Sequence, residues 1–157
     1  TLSSIKLFSF KYPELKNYDV YQNLYNGLKD AIAFSIKTLK KQCNNYDYAY
    51  IHIKETDVPG HDNMPVEKKT MIEILDKGFF SFLKEFSEKN KIKLAITADH
   101  STPCKLKTHS ADPVPLLFFE PRKNLRNNEQ RFTESDAARG NMGKLLSREV
   151  LKRVGFE

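Results

Sequence analysis

The spacing of apolar residues changes period several times along the chain, and each change marks an element. From Asp19 to about Gln42, residues Val20, Leu24, Leu28, Ile32, Ile36 and Leu39 recur every three or four positions. This predicts an amphipathic helix with Asp19 as N-cap, closed by Asn44-Asn45. Upstream, the alternation in SIKLFSF predicts a short strand near 5–10 and a turn over 12–18. Tyr46 to Lys54 is β-rich with a period of two: Ala49, Ile51 and Ile53 face one way, and Tyr48, Tyr50, His52 and Lys54 the other. After a loop over 55–64, Pro65 suits a first helical position. Ile72, Leu75, Phe79, Phe82, Leu83 and Phe86 then mark a long helix to about Lys89. Lys93 to Ala98 predicts a short buried strand, 99–113 a loop with two prolines, and Val114 to Phe119 a further apolar strand. The tail from about Glu134 to Val154 is helical in pattern, interrupted near Gly140 and Gly143. Such alternation predicts an α/β sandwich with a largely parallel sheet flanked by helices. In such sheets ligands gather beyond the carboxyl ends of the strands.

Length and charge narrow the picture. The 157 residues are one domain's worth, and 11 Phe with 7 Tyr supply bulky core material. No run approaches the roughly 18 apolar residues of a membrane span, and no signal-peptide pattern opens the chain. The chain begins at Thr1 and not Met, which leads us to expect an upstream segment removed. Cys43 and Cys104 have no CxxC-type spacing, and two lone thiols without a secretory signal predict a reduced, cytoplasmic protein. The formal charge of +6 suits an anionic partner. The lysines are scattered along helices without aromatic interleaving or a recognition motif, so nucleic acid is excluded and a small phosphorylated substrate is expected.

The chemistry lies in the loops. Asp57 and His61, in DVPGH, are four residues apart, but Pro59 should push Val58 out of helical geometry, which predicts a loop pair. Carboxylate oxygen with imidazole nitrogen suits Mn²⁺, Zn²⁺ or Fe²⁺ better than Ca²⁺ or Mg²⁺; the competing reading is an Asx-type turn with a surface histidine. Asp99 and His100 directly follow LAITA, where a strand buried on both faces would end in two ionisable groups. His109 completes the set if its loop folds back. Three donors for one ion and two for another leave the second site underfilled, which points to ligands outside this chain. Lys54 is a candidate for holding a substrate oxygen, against a solvated strand-end lysine. His52 reads as a packed or supporting group. Lys68 falls in the first turns of the helix, where a solvated face competes with a role in the site. Cys104 is left out of the site, Ser101 and Thr102 read as shaping the loop, and Asp112 reads as a turn residue.

HIKETDVPGHD followed by TADHSTPCKLKTHSADPVPLLFF resembles the cofactor-independent phosphoglycerate mutases, in particular their archaeal-type branch, within the alkaline phosphatase superfamily. The likeness runs from about Tyr18 onward, is densest over 46–119, and extends to RFTESDAARGNMG in the tail. It implies an alkaline-phosphatase-like sandwich with two divalent ions, Mn²⁺ first with Zn²⁺ or Mg²⁺ as alternatives, and no 2,3-bisphosphoglycerate. It further implies Asp57, His61 and His109 as ligands of one ion, and Asp99 with His100 as ligands of the other. In the family a serine nucleophile and an N-terminal Asp complete the second site, and an inserted domain helps to bind the phosphoglycerate. Nothing here matches these, so the chain is expected to be the C-terminal part of an enzyme that interconverts 3- and 2-phosphoglycerate through a phosphoserine, and to be inactive alone. The alternatives are another phosphomutase or phosphoesterase of the superfamily, or a non-catalytic metal-binding module that pairs with a separate serine-bearing chain.

Overall fold

The computed structural model describes residue 8, residues 19–121 and residues 131–156. The strand expected near 5–10 and the turn over 12–18 lie outside the described residues, apart from Phe8, which is not in a strand. Helix α1 spans Val20–Gln42. Asp19 caps it, its side chain accepting from the Gln22 amide at 2.9 Å, and Lys40 and Lys41 set positive charge against the C-terminal end of the helix dipole. A single helical turn, α2, covers Val58–His61, and α3 covers Pro65–Leu75. From Leu75 the chain continues through a π-helical turn, Asp76–Phe80, into α4, Ser81–Asn90. The long helix expected from Pro65 is thus one continuous rod with a π-turn inside it. There the Ser81 amide, five residues on, bonds the Asp76 carbonyl, and the Ser81 hydroxyl bonds the same oxygen at 3.0 Å. Lys91, at φ 59°, turns left-handed and ends α4.

The core lies between these helices. Leu28 and Ile32 of α1 meet Met71 and Leu75 of α3, Phe79 of the π-turn and Leu83 of α4; Leu28 and Met71 have no exposed surface. Five of the six are among the recurrent apolar positions; on the first turns of α3, however, Met71 takes the buried place and the expected Ile72 is exposed.

The β portion departs from expectation. Strands β1 (Leu94–Ile96) and β2 (Leu117–Phe119) pair antiparallel, with Leu94 opposite Phe119 and Ile96 opposite Leu117. Among the described residues this is the only sheet, and it is not parallel. A parallel pair needs a crossover, usually helical, whereas the loop joining β1 to β2 simply doubles back. Leu94 and Ile96 are half-buried and Ala95 is exposed, so β1 is not covered on both faces. Residues 46–54 form no strand: alternation prepares a chain for a ladder, but the ladder exists only where a neighbour supplies hydrogen bonds, and no described residue does so. In the tail, helical structure is confined to α5 (Glu134–Ala137), a 3₁₀ turn (Ser147–Glu149) and α6 (Val150–Arg153). No helix among the described residues is long and apolar enough to cross a membrane.

Candidate metal centre

Two loops build the site. The first is the turn after segment 46–54. Contrary to the loop pair expected, Asp57 to His61 close a helical turn: the Gly60 and His61 amides both bond the Asp57 carbonyl, at 2.9 and 3.2 Å. Pro59 does not prevent this, because in a first turn the missing N–H would have no intrahelical partner. The i, i+4 spacing brings His61 Nε2 to 3.4 Å from Asp57 Oδ2. Lys54 opens the turn, its carbonyl accepting from the Asp57 amide at 3.0 Å. Its own side chain is exposed and has no hydrogen bond or ion pair to the site among the described residues.

The second loop leaves β1 and returns to β2. A backbone bridge between Ser101 and Ser110 (Ser110 N–H to Ser101 carbonyl, 3.0 Å) folds it back on itself. Turning at Pro103 to Lys107, it carries His109 back beside His100, and their rings stack at 3.6 Å between centroids with 25° between planes. His109 Nε2 stands 3.2 Å from His61 Nε2 and 3.8 Å from Asp57 Oδ1. One ligand atom each from Asp57, His61 and His109 lies within 4.8 Å of the others. Cys104 is not among them; its thiol faces the Pro59 carbonyl at 3.8 Å.

Asp99 and His100 sit against this trio. Asp99 Oδ2 lies 3.5 Å from His100 Nε2 and 3.6 Å from the Nε2 of His52, placing His52 beside the site. Asp57 feels all three loop histidines. Burial works against its carboxylate, but the Thr102 hydroxyl and the positive fields of His61, His100 and His109 outweigh that and hold its pKa below the ordinary 3.8.

Hydrogen-bond roles decide which nitrogens are free. His61 Nδ1 lies 3.1 Å from the Lys107 carbonyl. A carbonyl can only accept, so Nδ1 carries a proton, and Nε2 is the nitrogen turned toward the trio. Ligands held at about 2.1 Å around one ion stand about 3.0–3.4 Å apart. The 3.2 and 3.4 Å separations around His61 match that spacing, and the 3.8 Å separation is close to it. Two imidazoles and an ionised carboxylate therefore fit a divalent ion of the Mn²⁺ or Zn²⁺ kind.

Thr102, which sequence reasoning took only as a loop-shaping residue, stands inside the site. It is 4% exposed, and its hydroxyl donates to Asp57 Oδ1 at 2.5 Å. Its carbonyl accepts from Lys68 Nζ at 2.7 Å, which assigns Lys68 to bracing this loop from α3. The only sequence signal was a β-branched hydroxyl residue two positions after His100. Glu55 is buried at 5% exposure, and its Oε2 has no hydrogen-bond partner among the described residues.

A Thermotoga petrophila protein named as a probable 2,3-bisphosphoglycerate-independent phosphoglycerate mutase is 35% identical over 153 residues, 93% of this chain and 37% of its own length. A Pyrococcus abyssi protein named as a 2,3-bisphosphoglycerate-independent phosphoglycerate mutase is 37% identical over 127 residues, 81% of this chain and 30% of its own length. The chain thus spans well under half of these relatives. A solved structure from Pyrococcus horikoshii superposes with a TM-score of 0.68 at 31% identity, covering 85% of this chain and 40% of that one. The resemblance read from the motifs stands on these relatives. Residues 16–152 match the family model described as Metalloenzyme superfamily, and the chain belongs to that superfamily.

Proposed function

We propose that this chain carries the metal-binding portion of a phosphoglycerate mutase that interconverts 3- and 2-phosphoglycerate. The observation that carries the reading is the convergence of Asp57, His61 and His109 within 4.8 Å, beside Asp99 and His100, in a chain similar to relatives of that name. Asp57, His61 and His109 hold one ion, Mn²⁺ by first choice and Zn²⁺ or Mg²⁺ otherwise. Asp99 and His100 hold part of a second site, completed by groups that this chain does not contribute. When bound, the ions act as Lewis acids on the transferring phosphoryl oxygens and lower the pKa of the attacking hydroxyl.

The chain's own groups prepare that chemistry. Asp57 stays ionised over the working range and contributes the negative charge. His61 is held through Nδ1 by the Lys107 carbonyl with Nε2 turned to the trio, so it enters the site already oriented. Lys54, a compact cation beside the turn, attracts and holds a substrate oxygen. The serine that takes the phosphoryl group and the domain that binds the rest of the substrate belong to the remainder of the enzyme. No 2,3-bisphosphoglycerate takes part, and the location is cytoplasmic.

Metal stoichiometry after Mn²⁺ or Zn²⁺ loading, beside a His109→Ala control, tests the centre. About one tightly held ion, lost in the control, is expected; no uptake by the unaltered chain, or equal uptake by both, would refute it. The pure chain is expected to show no mutase activity, and measurable conversion of 3- to 2-phosphoglycerate would overturn that part.

A further inference from the structure

Thr102 occupies a position that the ligand assignment leaves unused. Its hydroxyl has a single proton to give. Asp57 Oδ1, 2.5 Å away, is a carboxylate oxygen that can only accept, so the proton points there. His100 Nδ1 lies 3.1 Å from the same hydroxyl oxygen. With the hydroxyl proton committed to Asp57, a second lone pair facing that oxygen would be repelled, so Nδ1 must be the protonated nitrogen and donate. His100 Nε2, on the far side of the ring, faces Asp99 Oδ2 at 3.5 Å, a separation that an ion of the second site would bridge.

The hydroxyl is also held in place. The Thr102 carbonyl is pulled toward α3 by Lys68 Nζ at 2.7 Å. On the other side Gly60 leaves no slack: a Cβ built there would stand 2.7 Å from the Thr102 carbonyl oxygen and 2.9 Å from Cγ2. Thr102 is thus gripped between α2 and α3, with its hydroxyl reaching one group from each half of the site.

We infer that Thr102 is a positioning residue: its hydroxyl locks His100 as the Nδ1–H tautomer, frees Nε2 for the second site, and ties His100 to Asp57 so that the two half-sites keep one relative placement. Its functional meaning rests on the metal-centre reading above. Its geometric content does not.

The experiment uses the full chain. Long-range ¹⁵N–¹H correlation of imidazole nitrogens in the metal-free protein reads each histidine tautomer, with His100 assigned by the signals lost in His100→Gln. Mn²⁺ uptake is followed on the same preparations by electron paramagnetic resonance. The unaltered chain is expected to show Nδ1–H at His100, and Thr102→Ser to keep it. Thr102→Val, close in shape but without the hydroxyl, is expected to average the two tautomers and to bind Mn²⁺ about 10- to 100-fold more weakly, the usual cost of losing a group that orients a ligand. Rescue by Ser separates the hydroxyl from mere packing. Nε2–H at His100 in the unaltered chain would overturn the inference without any variant, and so would a Thr102→Val chain with unchanged tautomer and affinity. Nδ1–H at His100 with no Mn²⁺ uptake by the unaltered chain would refute the metal-centre reading while upholding the hydroxyl's hold on the ring.

Discussion

The same substitution at two glycines is expected to move stability in opposite directions. Gly60 and Gly78 both lie in helical backbone with ordinary φ, so in isolation each Gly→Ala change favours folding by about 1 kcal/mol through helix propensity. Their surroundings differ. At Gly78 a Cβ meets only Ile32 Cδ1 at 3.8 Å and Cγ2 at 3.9 Å, ordinary contact distances, so the propensity gain is kept. At Gly60 it would meet the Thr102 carbonyl oxygen at 2.7 Å, a backbone atom that cannot swing aside. Either the overlap is retained, or the loop moves off and Lys68 loses its bond to that carbonyl. Retained overlap costs about 1–3 kcal/mol, and losing a hydrogen bond from a charged donor costs about 1.5–3 kcal/mol. After the propensity offset of about 1 kcal/mol, Gly60→Ala is expected to be less stable by up to about 2 kcal/mol. In a chain of this size 1 kcal/mol moves Tm by about 2–4 °C. Thermal unfolding should therefore show Gly78→Ala about 2–4 °C higher and Gly60→Ala up to about 8 °C lower than the unaltered chain. Mn²⁺ uptake should weaken in Gly60→Ala alone, because only there does the loop carrying His100 and His109 shift against Asp57. A Gly60→Ala chain that gains Tm and binds Mn²⁺ normally would refute the close packing of Gly60 on Thr102.

Three further outcomes follow from the same structure. Met71→Ala, which empties a fully buried position between α1 and α3, is expected to cost about 2–5 kcal/mol in denaturant unfolding, whereas Val66→Ala, at an exposed position of α3, should cost under about 0.5 kcal/mol. Because the folded pKa of Asp57 is depressed, its contribution to the metal-free chain is present above pH 3.8 and is lost as pH falls through the lower folded value; Asp57→Asn should flatten that part of an acid-unfolding profile. Tyr21, pushed up to about 12 by burial and by its 2.7 Å hydrogen bond to Asp62, should ionise above the ordinary tyrosine value of 10 in an ultraviolet titration, a late step that Tyr21→Phe removes. The stability this group supplies is intact below pH 10 and declines as pH rises toward 12, and Tyr21→Phe should remove that decline.

The sequence by itself determined what depends on near neighbours in the chain. Helix α1 with its Asp19 cap, the rod that begins at Pro65, and the core positions Leu28, Ile32, Leu75, Phe79 and Leu83 follow from periodicity and capping, which act over a few residues; Met71 in place of Ile72 does not. Asp57, His61, Asp99, His100 and His109 could be picked out as candidates by residue type and by their places after apolar segments, which needs no distant partner. Tertiary structure decided what depends on distant partners. Whether 46–54 forms a strand rests on a neighbour that local alternation cannot supply, and the direction of β2 against β1 rests on how the loop between them folds. His109 becomes a neighbour of His61 through the Ser101–Ser110 bridge. Thr102 acquires its place only when Lys68, Gly60, Asp57 and His100 close around it. A hydroxyl has no preferred partner until packing brings one within reach, so the placement of Thr102 exists only in three dimensions.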